Sequence, residues 1–132
     1  MDYHQLLGQV QHRARLGSLE EATRAVRATL QTLGERLFGG EAGNLAAQLP
    51  QEIGLYLKEA GPSERFDLDE FYQRVSVREG VDLPAAIFHA RVVMGVLAEA
   101  VSPGMLANVR AQLPPEFQGL FKAGIQTNPP GQ

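Results

Sequence analysis

This chain of 132 residues is long enough for one domain with a buried core, and its 44% hydrophobic and 20% charged residues are typical of globular proteins. It has no cysteine, which excludes disulfide frameworks, thiolate metal sites and cysteine nucleophiles. The net charge of −3 is spread evenly, because residues 1–61 and 62–132 each hold six basic side chains against seven and eight acidic ones. Without a basic segment to neutralise phosphates, we expect no binding of nucleic acid.

The sequence shows no sign of export or of a membrane anchor. Its first residues, Met1 to His4, lack the basic region and apolar stretch of a signal peptide. No apolar run approaches the roughly 20 residues that span a bilayer. We therefore expect a cytoplasmic protein without membrane contact, which also fits the absence of cysteine.

The first two predicted helices lie before a pair of glycines. Residues 3–14 carry apolar side chains at helical spacing. The second and longest helix begins after the N-cap Ser18, where Glu21 completes a capping box, and continues to Leu37. Gly39 and Gly40 follow it, and glycine is common just past the end of a helix.

Two shorter helices follow the glycines. The third covers about residues 41–48, and the fourth begins at Pro50 and ends near Glu59. Because the residue before a proline avoids helical dihedral angles, Leu49 and Pro50 mark a corner between them. The linker Gly61-Pro62-Ser63 then interrupts the series.

The chain beyond the linker predicts the same four helices again. Asp67 is the N-cap of the next helix, Glu70 completes a capping box, and Phe66 can pack on Phe71 as a hydrophobic staple. The other three are capped or opened by Asp82, Ser102-Pro103 and Pro114, and the last ends near residue 122. No segment shows the sustained alternation of a strand, so we predict no sheet.

Two stretches of the chain are nearly the same, Asn44–Pro50 and Asn108–Pro114. An offset of 64 aligns Leu19–Lys58 with Leu83–Lys122, and an offset of 65 applies before that. We name residues 2–60 the N-terminal segment and residues 67–122 the C-terminal segment. The sequence predicts an all-α tandem repeat of two four-helix units packed with pseudo-twofold symmetry. Together they form one domain over residues 1–123, followed by a disordered tail at 124–132.

Several polar residues match between the two segments: Arg13 with Arg78, Glu35 with Glu99, Asn44 with Asn108, Gln48 with Gln112, and Glu52 with Glu116. The last two glutamates lie two residues after a helix-opening proline, where a carboxylate stabilises the free amides and the positive end of the helix dipole. We predict that at least one of them pairs with Arg13 or Arg78 and ties the first helix of its segment to the fourth.

The matched amides have two interpretations. Asn44 and Gln48 are four residues apart, so both point the same way from the third helix. They can satisfy backbone groups at the Leu-Pro corner, where proline removes a donor. The alternative is a pair of twin ligand sites, but polar residues near helix ends usually satisfy backbone groups, which favours the structural interpretation.

The two long helices differ in polarity. Residues 84–101 are apolar nearly all round, with Phe88, Val92 and Val96 where the N-terminal segment has Arg24, Ala28 and Thr32. Such a helix is buried on most sides. Packing within its own chain is the favoured interpretation, and an oligomer interface is the alternative. The candidate interface residues are Phe38, Phe88, Val92 and Val96.

No arrangement of residues predicts chemistry. His4 and His12 are eight residues apart, and His89 stands alone in the apolar helix, where a core histidine with a satisfied hydrogen bond is the usual case. The glycine-rich stretch 39–43 lacks the Gly-Lys-Ser/Thr of a phosphate loop. We expect no catalytic residue, no metal site and no cofactor.

The chain resembles the bacterial and archaeal family named domain of unknown function 2267. The residues that carry the resemblance are Val10, Arg13, Ala22, Leu30, Leu33–Leu37, Gly40–Ala42, Asn44–Pro50, Phe71, Val75, Arg78–Gly80 and Ala111–Pro114. The resemblance spans about residues 2 to 122. It implies a soluble, all-helical protein of unassigned activity, and it transfers no catalytic residue.

These observations favour a non-catalytic protein–protein interaction or oligomerisation module, with a protein partner or self-association. The alternative is a helix-turn-helix nucleic-acid-binding protein, with residues 101–112 as turn and recognition helix. That helix offers only Arg110 as a basic residue, whereas recognition helices need several donors for base edges and phosphates.

Overall fold

The computed structural model describes residues 1–122, and these residues contain helices and no strand, as predicted. Their helices are α1 Tyr3–Arg13, α2 Leu19–Arg36, α3 Glu41–Ala46, α4 Gln51–Glu59, α5 Leu68–Glu79, α6 Leu83–Ala100, α7 Pro103–Ala111, a 3-10 helix Pro115–Phe117 and α8 Gln118–Lys122. The predicted disordered tail at 124–132 lies outside the described residues.

The predicted N-caps are confirmed. Each side-chain oxygen accepts a hydrogen bond from the backbone N–H three residues later, in Ser18, Asp67, Asp82 and Ser102. The predicted capping boxes are wrong in their second hydrogen bond, which should run from the N-cap N–H to the glutamate side chain. The Glu21 carboxylate accepts from the Gly17 N–H instead, and the Glu70 carboxylate accepts from Arg74. The predicted staple is confirmed, since the rings of Phe66 and Phe71 lie 6.4 Å apart between centroids.

The shorter helices differ most from prediction. Helix α3 ends at Ala46, two residues earlier than expected. The last predicted helix is divided into the 3-10 helix and the five-residue α8. Pro114 is extended, with ψ near 160°, because the residue before Pro115 avoids helical angles. The chain then turns through the tighter 3-10 geometry that is common at helix ends.

Helix α6 packs against α1, α2, α5 and α8. Val92 and Val96, two of the candidate interface residues, are 2% and 0% exposed. The structure therefore corrects their assignment to an interface and confirms the favoured interpretation, burial within the chain. By length and composition α6 is apolar enough to cross a bilayer, with a mean hydropathy of 1.4, but half of it is buried inside the fold.

The contacts between helices cross the two segments. Helix α1 lies against both α2 and α6, and α5 likewise lies against both α6 and α2. Helix α3 also contacts α7 across the segments, whereas the packing of α4 on α2 lies within the N-terminal segment. The closest approach between α4 and α2 is at Gly34, where a Cβ atom would lie only 2.0 Å from the carbonyl oxygen of Leu57.

Candidate functional site

The two matched arginines each bind a glutamate of the other segment. Arg13 on α1 donates two hydrogen bonds to Glu99 on α6, at 2.6 and 2.8 Å. Arg78 on α5 donates to Glu35 on α2 at 2.9 Å and to Thr32 at 2.9 Å. Glu35 and Glu99 occupy aligned positions in the sequence, so the two ion pairs are reciprocal.

The predicted arginine partners Glu52 and Glu116 are therefore wrong. The Glu116 carboxylate accepts a hydrogen bond from the backbone N–H of Leu68 at the start of α5, so it does join the first and last helices of its segment. Glu52 is exposed and forms no ion pair within residues 1–122. Arg13 and Arg78 bind glutamates of the long helices α6 and α2 instead.

Glu35 is the centre of a larger ion-pair network. Its carboxylate, with only 11% of the side chain exposed, binds Arg78 and also Arg74 at 2.8 Å. Arg74 further contacts Glu64 at 3.0 Å and Glu70 at 2.9 Å. These carboxylates, first of all that of Glu64, raise the pKa of Arg74 above its usual value. The network fixes α5 and the preceding linker on α2.

The matched glutamines also bind across the segments. Gln48 accepts a hydrogen bond from the backbone N–H of Ser102 at 2.8 Å. Gln112 accepts from the N–H of Phe38 and donates to its carbonyl, both at 2.9 Å. The prediction that these amides satisfy backbone groups is confirmed, although the groups belong to the opposite segment and not to the Leu-Pro corner.

The remaining matched amides do not converge on a site. Asn44 and Asn108 are exposed, and their side chains form no hydrogen bond within the described part of the chain. The glutamines are held by backbone groups on the opposite segment. The predicted alternative of twin ligand sites built from amide pairs therefore has no geometric support.

The most exposed of the large apolar side chains described is not among the four candidate interface residues predicted from the sequence. Phe38 is half-buried, with the Arg65 guanidinium 5.2 Å from its ring centroid, and Phe88 is half-buried as well. Val77 on α5 is 82% exposed, which makes it the most exposed of the large apolar side chains described. Val77 lies outside the buried stripe of α5, Phe71, Tyr72 and Val75, and this position in the sequence already indicates its exposure.

His89 lies in the core beside a carboxylate. Its Nδ1 is 2.5 Å from the Oε2 of Glu79, and both residues are buried. The prediction of a core histidine with a satisfied hydrogen bond is confirmed, whereas the partner was missed. Oε1 of Glu79 is buried without a hydrogen-bond partner among residues 1–122. At the aligned positions the N-terminal segment has Ala14 and Ala25, both buried.

Removing one member of the Glu79–His89 pair is expected to destabilise the fold by more than the pair itself contributes to the free energy of unfolding. His89→Ala leaves the Glu79 carboxylate buried without a donor, which costs about 3 kcal/mol. Glu79→Ala/His89→Ala, which copies Ala14 and Ala25, should cost less than the sum of the single changes by about 1 kcal/mol or more. Urea unfolding of the four proteins measures this coupling; additive single and double values would contradict a direct pair.

Within the described residues no three histidine, aspartate or glutamate side chains lie close enough together to hold a metal ion. The polar and charged side chains that do cluster form contacts between helices, as described above. The arrangement is therefore suited to holding the two segments together.

Comparisons with known proteins agree with the resemblance seen in the sequence. The family model described as an uncharacterized conserved protein, DUF2267, matches residues 3–120, nearly the whole chain. A search of curated proteins gives no match. Because the family model covers far more than half of the residues, the chain belongs to the DUF2267 family.

Proposed function

We propose that this chain is a non-catalytic protein-interaction module built from two fused helical repeats. The observation that carries the proposal is the exposure of Val77, 82%, on a helix whose charged neighbours are already bound within the chain. The matched arginines and glutamines bind across the segments, which supports a structural role for them. The outer face of α5 is then the surface best suited to a partner.

We also propose that the two repeats are related by a pseudo-twofold axis. The reciprocal ion pairs of Arg13 and Arg78 support this relation, because each runs from the first helix of one repeat to the second helix of the other. The bonds of Gln48 to Ser102 and of Gln112 to Phe38 are reciprocal in the same way, since Ser102 aligns with Phe38. A twofold operation exchanges such contacts in pairs.

The proposed contact surface surrounds Val77. A shallow depression of about 300 Å³ is lined by Val77 and Gln73, one turn apart, and by Glu70, Arg74 and Arg78. Burying a valine side chain stabilises a complex by about 2 kcal/mol, and a ring of polar residues around an apolar centre is the usual composition of a protein interface. Arginine is among the residues enriched in such surfaces.

The test is site-specific photo-crosslinking in the cells that produce the protein. A photoreactive amino acid at Val77 should give a discrete adduct with a protein, either a partner or a second copy. Placing it at Leu55, which is 53% exposed on α4, is the matched control. Val77→Asp should abolish the same complex in light scattering. A monomer at every concentration, with no adduct beyond that of the Leu55 control, would contradict the proposal.

We further propose that the chain does not bind duplex nucleic acid as a helix-turn-helix protein. Helix α7 carries one basic residue, Arg110, whose guanidinium lies 5.2 Å from the centroid of the Phe121 ring. A mobility-shift measurement with random duplex DNA at about 50 mM salt should show no complex. A shift that weakens as salt is raised would instead favour the helix-turn-helix function.

We propose a cytoplasmic location, with α6 as a core helix and not a membrane span. The burial of half of α6 supports this, as does the presence of Arg91 near its middle. Charged side chains in the middle of a membrane helix are costly. Fractionation of cells should place the protein with the material that stays in solution; recovery with the membranes after a salt wash would contradict the proposal.

A further inference from the structure

A second surface depression lies between α2 and α5, on the other side of Arg78. Its volume is about 320 Å³, and its lining consists of Arg24, Arg27, Ala28, Gln31 and Arg78. Three of these residues are arginines and none carries a carboxylate. We propose that this depression is a binding site for a small phosphate-bearing molecule, a site that shares only Arg78 with the surface around Val77.

The three guanidinium groups keep donors that no described residue uses. Arg24 approaches only Glu20, at 3.7 Å, which is too long for a hydrogen bond. Arg27 uses Nε and Nη2 on Glu59, which leaves Nη1. Arg78 uses Nη1 and Nη2 on Thr32 and Glu35, which leaves Nε. Each of the three arginines therefore keeps a donor for an oxyanion in the depression.

Two of the three arginines bind glutamates that are less exposed than the arginines themselves. The Arg27 side chain is 55% exposed and that of Glu59 is 30% exposed. The Arg78 side chain is 28% exposed and that of Glu35 is 11% exposed. These two glutamate side chains are thus more buried than the arginines that they bind, whereas Glu20, near Arg24, is 84% exposed. Planar guanidinium groups match the geometry of phosphate oxygens.

The ligand needs more than one negative charge. Each of the three arginines already has a carboxylate nearby, on Glu20, Glu35 or Glu59, so a monovalent anion gains little from the site. A phosphate group with two charges and several acceptor oxygens can bind all three guanidinium groups together. Because the depression is open and the carboxylates compete for the arginines, we expect a dissociation constant of about 1 mM for inorganic pyrophosphate.

The aligned surface of the C-terminal segment differs chiefly at Arg24. It has Phe88 for Arg24 and Gly95 for Gln31, whereas Arg91 matches Arg27. Arg78 is likewise matched by Arg13. The long helix therefore tolerates an apolar residue at the position of Arg24, and Arg24 is the arginine that distinguishes the N-terminal depression.

The experiment is a titration of the full chain with inorganic pyrophosphate at constant ionic strength. Binding is measured by calorimetry and by the NMR signals of the arginine guanidinium groups. Arg24→Gln removes the arginine that forms no hydrogen bond, so the melting temperature should be retained. We expect saturable binding that weakens about five-fold or more in this variant. The matched control, Arg110→Gln, removes the same charge from an exposed position on α7 and should change the affinity less than about two-fold.

Two other results would overturn the proposal. One is the absence of saturable binding at about 20 mM pyrophosphate, well above the expected dissociation constant. The other is an equal loss of affinity in Arg24→Gln and Arg110→Gln, which would indicate an effect of net charge alone. A parallel titration with citrate distinguishes the ligand class: weaker binding of citrate supports a phosphate site, and equal or tighter binding contradicts it.

Discussion

Replacing Gly34 by alanine is expected to destabilise the fold by about 3 kcal/mol, which is the upper part of the range for an added core methylene. The new Cβ atom would lie 2.0 Å from the carbonyl oxygen and 2.8 Å from the carbonyl carbon of Leu57. Because these are backbone atoms, no side chain can rotate away. Helix α4 must move from α2, and the core contacts of Ile53 and Leu57 are disturbed with it.

The matched control is Gly8→Ala, on α1, where no atom lies within 4 Å of the added Cβ. Alanine is the better helix former, so this change should stabilise the fold by about 0.5–1 kcal/mol. Urea unfolding of both variants gives the comparison. A Gly34→Ala protein as stable as the parent would contradict the close approach of α2 and α4.

Replacing Glu35 by glutamine is expected to destabilise the fold by about 2–3 kcal/mol, because it leaves two mostly buried guanidinium groups without their shared carboxylate. Glu99→Gln is the matched control, since it breaks the reciprocal pair with Arg13. Glu99 is 51% exposed, so its removal should cost less than about 1 kcal/mol. Equal costs for the two variants, measured by chemical unfolding, would contradict the central position of Glu35.

The effect of Glu35 should depend on pH. Burial alone would raise the pKa of its carboxyl, but hydrogen bonds from Arg78 and Arg74 outweigh burial and lower the pKa below its usual value of 4.5. A carboxyl with a lowered folded-state pKa stabilises the fold above the unfolded-state pKa, and this contribution is lost as the pH falls through the folded-state pKa.

We therefore expect the difference in unfolding free energy between the parent and Glu35→Gln to be constant from about pH 6 to 8 and to shrink below about pH 4. Unfolding curves collected across this range measure the difference directly. A difference that grows on acidification would have the wrong sign and would contradict the ion pairs of Glu35.

The helices could be predicted because their signals are local. Caps such as Ser18 and Asp67 act within three residues, and the Leu-Pro corners act on the residue next to them. The partners of Arg13 and Arg78 could not be predicted in the same way. Alignment of the two segments identifies equivalent positions, but it does not say that the first helix of one segment packs on the long helix of the other.

The candidate sites were harder to predict for a related reason. Glu79 meets His89 only because α5 and α6 pack side by side, and the arginine-lined depression joins residues of α2 to Arg78, more than 40 positions away. The importance of Gly34 depends on how closely α4 crosses α2. Each of these features is a tertiary contact, and no local pattern in the sequence specifies it.

The most direct test of the central claim is to cut the linker between the two segments in the folded protein. A protease site introduced at Gly61, which is exposed, separates residues 2–60 from residues 67–122. If reciprocal contacts build one shared core, the cleaved chain should remain a complex of about 14.4 kDa by light scattering, with unchanged helical circular dichroism. Two fragments that separate, each still helical and each near half that mass, would contradict the claim.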